Sequence, residues 1–435
     1  MRKAVKRKIK IGFIAIGSLV ATMVIAVGGY VGYVMITYTR IEDNLALTID
    51  GLGAQTIADT DLDDGIDPDS GNVFSISTYN IGFGAYNRAY DFFMDENDYL
   101  PAYVESHGGV AHTVGSHSRG LSEEATMTDT VGAIETITGL STTYGEDVDF
   151  ALFQEVDTES DRSYHVNQQA MIEESFPSYD FVHASNFHSA YLAYPLTEPI
   201  GKSNSGISTF SRYHLESSVR KSFYVSKAFP TKFFDLDRCY SISKVAVGTS
   251  GKFLSVINVH LSAYDATGEI RAHQFAELKD TVQEEMAAGN YVVVGGDFNH
   301  DVLYDNPAFA ADGAYINDAA RPAWYGNYEQ QRPEAYWWNY LRLDPTDPNY
   351  DLKETAMTFA AADNIPTCRD PSIPMQDANE NGIIDNFLCV IDGFMVSDNI
   401  SVLNVENINA GNEIDGLGFA YSDHNPAYMQ FKLEA

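Results

Sequence analysis

Several apolar, β-rich runs in this chain stop on a residue that can hold a metal, bind a phosphate or move a proton. "VFSISTYN" stops on Asn80, "VDFALFQE" on Gln154 and Glu155, and "KFLSVINVH" on His260. "YVVVGGDFN" presents Asp297 and Asn299 one residue apart, "VIDGFMVS" carries Asp392 near its start, and "FAYSDH" ends on Asp423 and His424. Any one of these endings is compatible with a plain turn, because Asp and Asn are common turn formers. Together they supply carboxylates, amides and two histidines, the parts that chemistry on a phosphate ester uses. Hard oxygen ligands such as Glu155 and Asp297 suit Mg²⁺, which keeps some waters and is held by one or two carboxylates. Histidine titrates near neutrality and can donate or accept a proton. A bound metal polarises a phosphoryl oxygen and lowers the pKa of its water.

The elements that must present these residues are strands and helices in alternation. Runs such as "VVV" and "FALF" suit strands buried on both faces or inside a sandwich. "TMTDTVGAIETITGL" and "EIRAHQFAELKDTVQEEMAAG" have helical spacing and length, and Gly289 is a plausible stop for the second. The mixture predicts an α/β protein with packed sheets and helices outside. The stretch 300–390 is rich in Pro, Asn and Asp, holds Trp324, Trp337 and Trp338, and reads as a long insertion within the domain. Core packing is the expected role of those three rings, with an exposed apolar loop as the other reading.

In their order along the chain, "STYNIG", "LFQEVD", "NVHLS", "GGDFN", "IDGFMVS" and "YSDHNP" resemble the motifs of the endonuclease/exonuclease/phosphatase superfamily. The resemblance runs from Asn80 to His424. It implies a four-layered α/β sandwich, two β-sheets packed face to face with helices outside, and a hydrolase of phosphate esters that depends on Mg²⁺ or Mn²⁺. It also implies roles. Glu155 would be the metal-binding carboxylate, with Asn80, Asp297 and Asp423 as further metal ligands. Asn80, His260 and Asn299 would contact the substrate phosphate. Asp297 would orient or deprotonate the attacking water, and His260 would contact the scissile phosphate or act as an acid near the leaving group. His424 would be general base or transition-state stabiliser, and Asp392 would orient it.

The N-terminal 40 residues contain seven basic and no acidic side chains, and residues 11–39 form 29 consecutive residues without a charge. That exceeds the about 20 residues needed to span a bilayer. Six positive charges precede the span and one follows it, which predicts a cytoplasmic tail at 1–10, a transmembrane signal anchor at 11–39 and an extracellular remainder in a single-pass protein of the cell membrane. A cleaved signal peptide is the alternative, although its apolar region is typically only about 7–15 residues. Residues 40–72 are acidic and rich in Gly and Asp and read as a linker, leaving 73–435 as the catalytic domain.

Without the seven basic residues of 1–40, the chain holds 20 basic against 61 acidic side chains, a formal charge of −41. Such a surface repels polyanions and anionic lipid headgroups at long range and argues against a basic nucleic-acid groove. The substrate classes left open are a lipid headgroup, a nucleic acid and a soluble phosphate, and no obligate protein partner is expected. A surface nuclease and a catalytically inactive binding module on the same fold are the competing readings.

Other features carry less. His107, His112 and His117 are spaced by five and five, unlike a helical zinc pair, and read as a loop. "DANENGIID", 377–385, begins like a calcium loop, but position twelve is Leu388 where a bidentate Glu belongs, so Ca²⁺ there is a secondary expectation. Arg162 and Arg238 are possible phosphate contacts or ion-pair partners. Cys368 and Cys389 are closer in sequence to each other than to Cys239, so a Cys368–Cys389 disulfide is expected with Cys239 free.

Overall fold

Two parallel strand pairs, each closed by a crossover helix, generate the architecture. Phe74–Asn80 pairs in parallel with Phe150–Asp157, and the helix Glu123–Thr138 lies between them in sequence. Lys252–His260 pairs in parallel with Tyr291–Asp297 across the helix Glu269–Ala287. Parallel neighbours need such crossovers. Ser122 caps the first helix, its hydroxyl accepting from the Ala125 amide at 3.1 Å. The second helix ends before Gly289, which takes φ 79° as the chain turns back. The computed structural model describes residues 2–53, 56–63, 71–98, 112–225, 237–263, 269–300, 302, 357–376, 384–411 and 416–435.

Each pair sits inside a seven-stranded mixed sheet. One sheet runs Leu45–Ala46, Leu215–Ser222, Cys239–Val247, Lys252–His260, Tyr291–Asp297, Asp392–Ser397 and Met357–Ala360 from edge to edge. The other runs Ile400–Asn407, Ala427–Leu433, Phe74–Asn80, Phe150–Asp157, Asn204–Ser211, Asp180–His188 and Asp50–Gly51. Residues 45–51, within the stretch read as a linker, thus lay an edge strand on both sheets. The sheets pack face to face through Phe74, Ile76, Leu152, Val256, Val293 and Phe394. Helix Glu269–Ala287 covers the outer face of the first sheet through Phe275, Leu278 and Val282. Helix Glu123–Thr138 covers the second through Ala133, Ile134 and Ile137. Tyr291–Asp297 and Phe74–Asn80 are buried along their whole length, as strands with a layer on each side must be.

The two glycines before Asp297 have separate jobs. A Cβ on Gly295 would come within 2.9 Å of both Leu152 and Phe394, so the close approach of the sheets needs a residue without one. Gly296 has φ 149°, and a Cβ there would lie 2.0 Å from the Val259 carbonyl oxygen. A polar bridge also crosses the apolar interlayer. Gln154 Nε2 donates to Asn258 Oδ1 at 2.8 Å and to Thr78 Oγ1 at 3.0 Å, and Asn258 Nδ2 donates to the Ser208 carbonyl at 3.0 Å.

Two expectations are corrected. "FAYSDH" is a loop, and the strand begins only at Ala427. Phe419 takes φ 62°, and the Asn425 side chain accepts its amide at 2.9 Å, so side-chain hydrogen bonding replaces a strand ladder. The Cys368–Cys389 disulfide is not formed. The two residues face each other across a short antiparallel ribbon, yet both are buried free thiols, and the Cys368 thiol is turned to the Arg369 carbonyl at 3.5 Å. His107, the three tryptophans and residues 377–383 of the calcium-like turn lie outside the described residues.

Replacing Asn258 by Leu should cost about 1–3 kcal/mol, because it leaves buried polar groups of the bridge unpaired. Chemical denaturation of the full chain measures this; an unchanged midpoint would mean that the bridge contributes nothing to the packing of the sheets.

Candidate active site

Strand register brings the sequence-selected residues to one end of the sandwich. His260 is the cross-strand partner of Asp297, and Asp297 is the partner of Asp392, so three adjacent strands of one sheet end side by side. In the facing sheet Asn80 is the partner of Gln154. The next residue, Glu155, takes φ 55° at a bulge between Phe153 and Val156, which turns its carboxylate out of the ladder. A non-glycine residue in that conformation is strained, and such strain concentrates at functional sites. Asp423 and His424 arrive from the loop before Ala427. Ser422 holds that loop, donating from Oγ to the Asn80 carbonyl at 2.8 Å and accepting the His424 amide at 3.1 Å.

Asp297 is the hub. Its Oδ1 accepts the Asn299 amide at 2.8 Å, and its Oδ2 accepts Asn80 Nδ2 at 2.9 Å and Asn299 Nδ2 at 3.1 Å. His260 Nε2 lies 3.4 Å and His424 Nε2 3.8 Å from the same Oδ2. Burial raises the Asp297 carboxyl above the usual range; nearby His424 opposes this and Asp392 adds to it. Asn299, at φ 48°, also donates from Nδ2 to the Leu261 carbonyl at 2.8 Å. Its amide nitrogen is therefore committed to holding Asp297 in this arrangement.

The two histidines are driven in opposite directions. His424 Nδ1 is 2.8 Å from Asp392 Oδ2. Burial alone would lower His424, but Asp392, Cys368 and Asp297 outweigh it and hold the ring well above its ordinary value. His260 is pushed well below its ordinary value by burial first and then by Arg238, His424 and Arg162. Its surroundings favour the neutral imidazole, and its Nδ1 has no hydrogen-bond partner among the described residues.

The carboxylates test whether a cation fits. Glu155 Oε1 lies 3.7 Å from His260 Nε2, and Arg162 is already spent on Asp157 at 2.8 and 3.0 Å. Asp423 is raised to about 6 by burial, with Glu155 adding to the rise and His424 and Arg369 opposing it. Asp423 and the Glu155 that disfavours its charge are hard oxygen donors that fit a divalent cation, which would relieve that repulsion. Asp297, Asp392 and His424 each offer a ligand atom within 4.8 Å of one another and could also hold an ion. Binding through His424 Nδ1 would displace its hydrogen bond to Asp392.

Sequence reasoning passed over two supports. Thr367 Oγ1 accepts the Ile391 and Asp392 amides at 3.0 and 3.1 Å and so fixes the start of the Asp392 strand. The fully buried Arg369 donates to the carbonyls of Tyr86, Asn87 and Tyr90 and bonds the Asp423 carbonyl through its own amide at 2.9 Å. Both lie in the loop-rich stretch, where no periodicity marks them. These elements surround a cavity of about 650 Å³ that Glu155, Arg162, Arg238, His260, Asp297 and His424 help to line.

The family model "Endonuclease/Exonuclease/phosphatase family" matches residues 77–424. Among solved structures, an endonuclease/exonuclease/phosphatase from Bacteroides vulgatus is similar at 16% identity and TM-score 0.42, over 83% of this chain and 100% of that one. TDP2 of D. rerio, complexed with a single-strand DNA product, is similar at 12% and 0.44, over 83% and 99%. The human Nocturnin catalytic domain with a bound sulfate anion is similar at 13% and 0.44, over 83% and 94%. No curated protein matches the chain. With four-fifths of its length matched, the chain belongs to the endonuclease/exonuclease/phosphatase family, whose members hydrolyse phosphate esters.

Proposed function

We propose that the protein is a divalent-metal-dependent phosphodiesterase, anchored in the membrane by its N-terminal helix with the catalytic domain outside the cell. The observation that carries the hydrolytic reading is the meeting of Asn80, His260, Asp297 and His424 around one carboxylate oxygen. Water attacks phosphorus and gives its proton to Asp297, whose raised basicity suits it to that task. The Asn80 amide and the Asp392-paired His424 imidazolium face the charge that builds on the phosphoryl oxygens. Because His424 and Asp297 stand together, both act on the side of the incoming water. The bond from phosphorus to the departing oxygen breaks on the opposite side, and that oxygen takes a proton from solvent. His260, whose charged form burial disfavours, orients the phosphate. Asn299 acts through Asp297 as a positioning residue. Glu155 and Asp423, with Asn80 beside them, would hold the Mg²⁺ or Mn²⁺. When bound, the cation neutralises phosphoryl charge and acidifies its water.

The anchor reading is supported by a helix from Lys6 to Thr37 whose apolar window is wholly exposed and long enough to cross a bilayer. The charge asymmetry of its flanks supports that orientation.

Three outcomes are expected. The full chain should hydrolyse bis(p-nitrophenyl) phosphate with Mg²⁺ or Mn²⁺, lose activity in EDTA and recover it on re-addition; metal-independent turnover would sink the mechanism. Asp297→Asn should lower kcat by about 10²–10⁴ with little change in denaturation midpoint, whereas a near-normal rate would remove Asp297 from the reaction. Asp392→Asn should bring the His424 pKa down, so that activity falls as pH rises through that lower value. A variant whose alkaline profile matches the wild type would refute the charged-histidine role.

A further inference from the structure

The cavity is chemically two-sided. Beyond the polar floor its wall includes two adjoining apolar segments, one with Phe92, Phe93 and Met94 and one with Leu192, Tyr194 and Ile200. The rings of Phe93 and Tyr194 meet edge to face with centroids 5.6 Å apart. At the mouth Tyr194 is 62% exposed and Met94 47%, and Leu196 stands out into solvent. A phosphate floor with so much aromatic and aliphatic wall exceeds what a small hydrophilic ester needs.

The same wall is tied to the N-terminal helix. Tyr30 Oη donates to the Tyr191 carbonyl at 3.2 Å and accepts the Ala193 amide at 2.9 Å. Tyr33 Oη accepts the Tyr191 amide at 3.3 Å. The segment that supplies Leu192 and Tyr194 is therefore fastened to one level of the helix. Residues 11–39 are longer than the about 20 that cross the hydrocarbon, so the last turns of the helix, with Tyr30 and Tyr33, can stand at the headgroup level that tyrosines favour. The wall segment fastened to Tyr30 and Tyr33 then lies next to the lipid headgroups. The formal charge of −41 beyond residue 40 disfavours polyanions and anionic membranes.

We infer that the substrate is a zwitterionic membrane phospholipid, its phosphodiester on the Asp297 floor and part of its apolar chain against the 92–94 and 192–200 wall. This rests on the hydrolase reading above and uses the same bond changes. Dibutyryl- and dihexanoylphosphatidylcholine, both as dissolved monomers, are offered to the full chain held in amphipol with Mg²⁺. Burying part of the added methylenes should raise kcat/KM at least about tenfold for the longer ester. Tyr194→Asp and Met94→Asp change exposed side chains that the fold tolerates, and each should cut that ratio to about threefold or less. A ratio near one in the wild type, an unchanged ratio in both variants, or a deoxythymidine decamer cleaved with higher kcat/KM than the dihexanoyl ester would overturn the inference. Failure to hydrolyse bis(p-nitrophenyl) phosphate would instead strike the hydrolase reading. Titration calorimetry then decides the lipid question without turnover: dodecylphosphocholine should bind at least about tenfold more tightly than phosphocholine, and equal binding would refute it.

Discussion

The hydrogen bond from Gln154 to Asn258 is the constraint on which the site depends. One sheet carries His260, Asp297 and Asp392, and the facing sheet carries Asn80 and Glu155. Apolar interlayers are tolerant of small slides, because dispersion has little direction. A buried amide pair is not tolerant, since a slide of an ångström leaves both partners unsatisfied in a dry environment. Gln154 immediately precedes Glu155, and Asn258 lies two residues before His260 on the same strand face. The bond therefore fixes the relation between the halves directly beneath the place where their side chains meet.

Above that bond the site separates charge states by environment. His424 and His260 are both buried and lie near the same carboxylate, yet the surroundings favour the charged form of one and the neutral form of the other. The difference lies in Asp392, which faces only His424 at hydrogen-bonding distance, while Arg238 and Arg162 bear on His260. Two residues of one type thus become a charged and an uncharged hydrogen-bonding group without any change in covalent chemistry.

Much of this was legible in the sequence. Valine-rich runs ending in polar residues suit buried strands that deliver side chains to one edge of a layer, and both crossover helices carried their periodicity. The loop holding Asp423 and His424 was harder, because its aromatic content resembles a strand and the Asn425 cap that makes it a loop acts six residues away from Phe419. Glu155 could be chosen by type, but not its positive φ, which arises from a bulge against Asn204–Ser211. Arg369 and Thr367 were invisible because they act on backbone groups brought near only by the fold. The thiols of Cys368 and Cys389 illustrate the same limit: nearness in sequence suggested a bond, whereas the two face each other across a ribbon without one.

Residues 45–51 run along Leu215–Ser222 with one short strand and along Asp180–His188 with the other. Each of those longer strands would otherwise offer a row of unpaired backbone groups, the kind of rim on which chains add to one another. The connection between helix and domain is therefore also a pair of edge guards. A soluble fragment cut after residue 53 would lose both guards at once, and self-association through the bared rims, not loss of the core, would be its first failure.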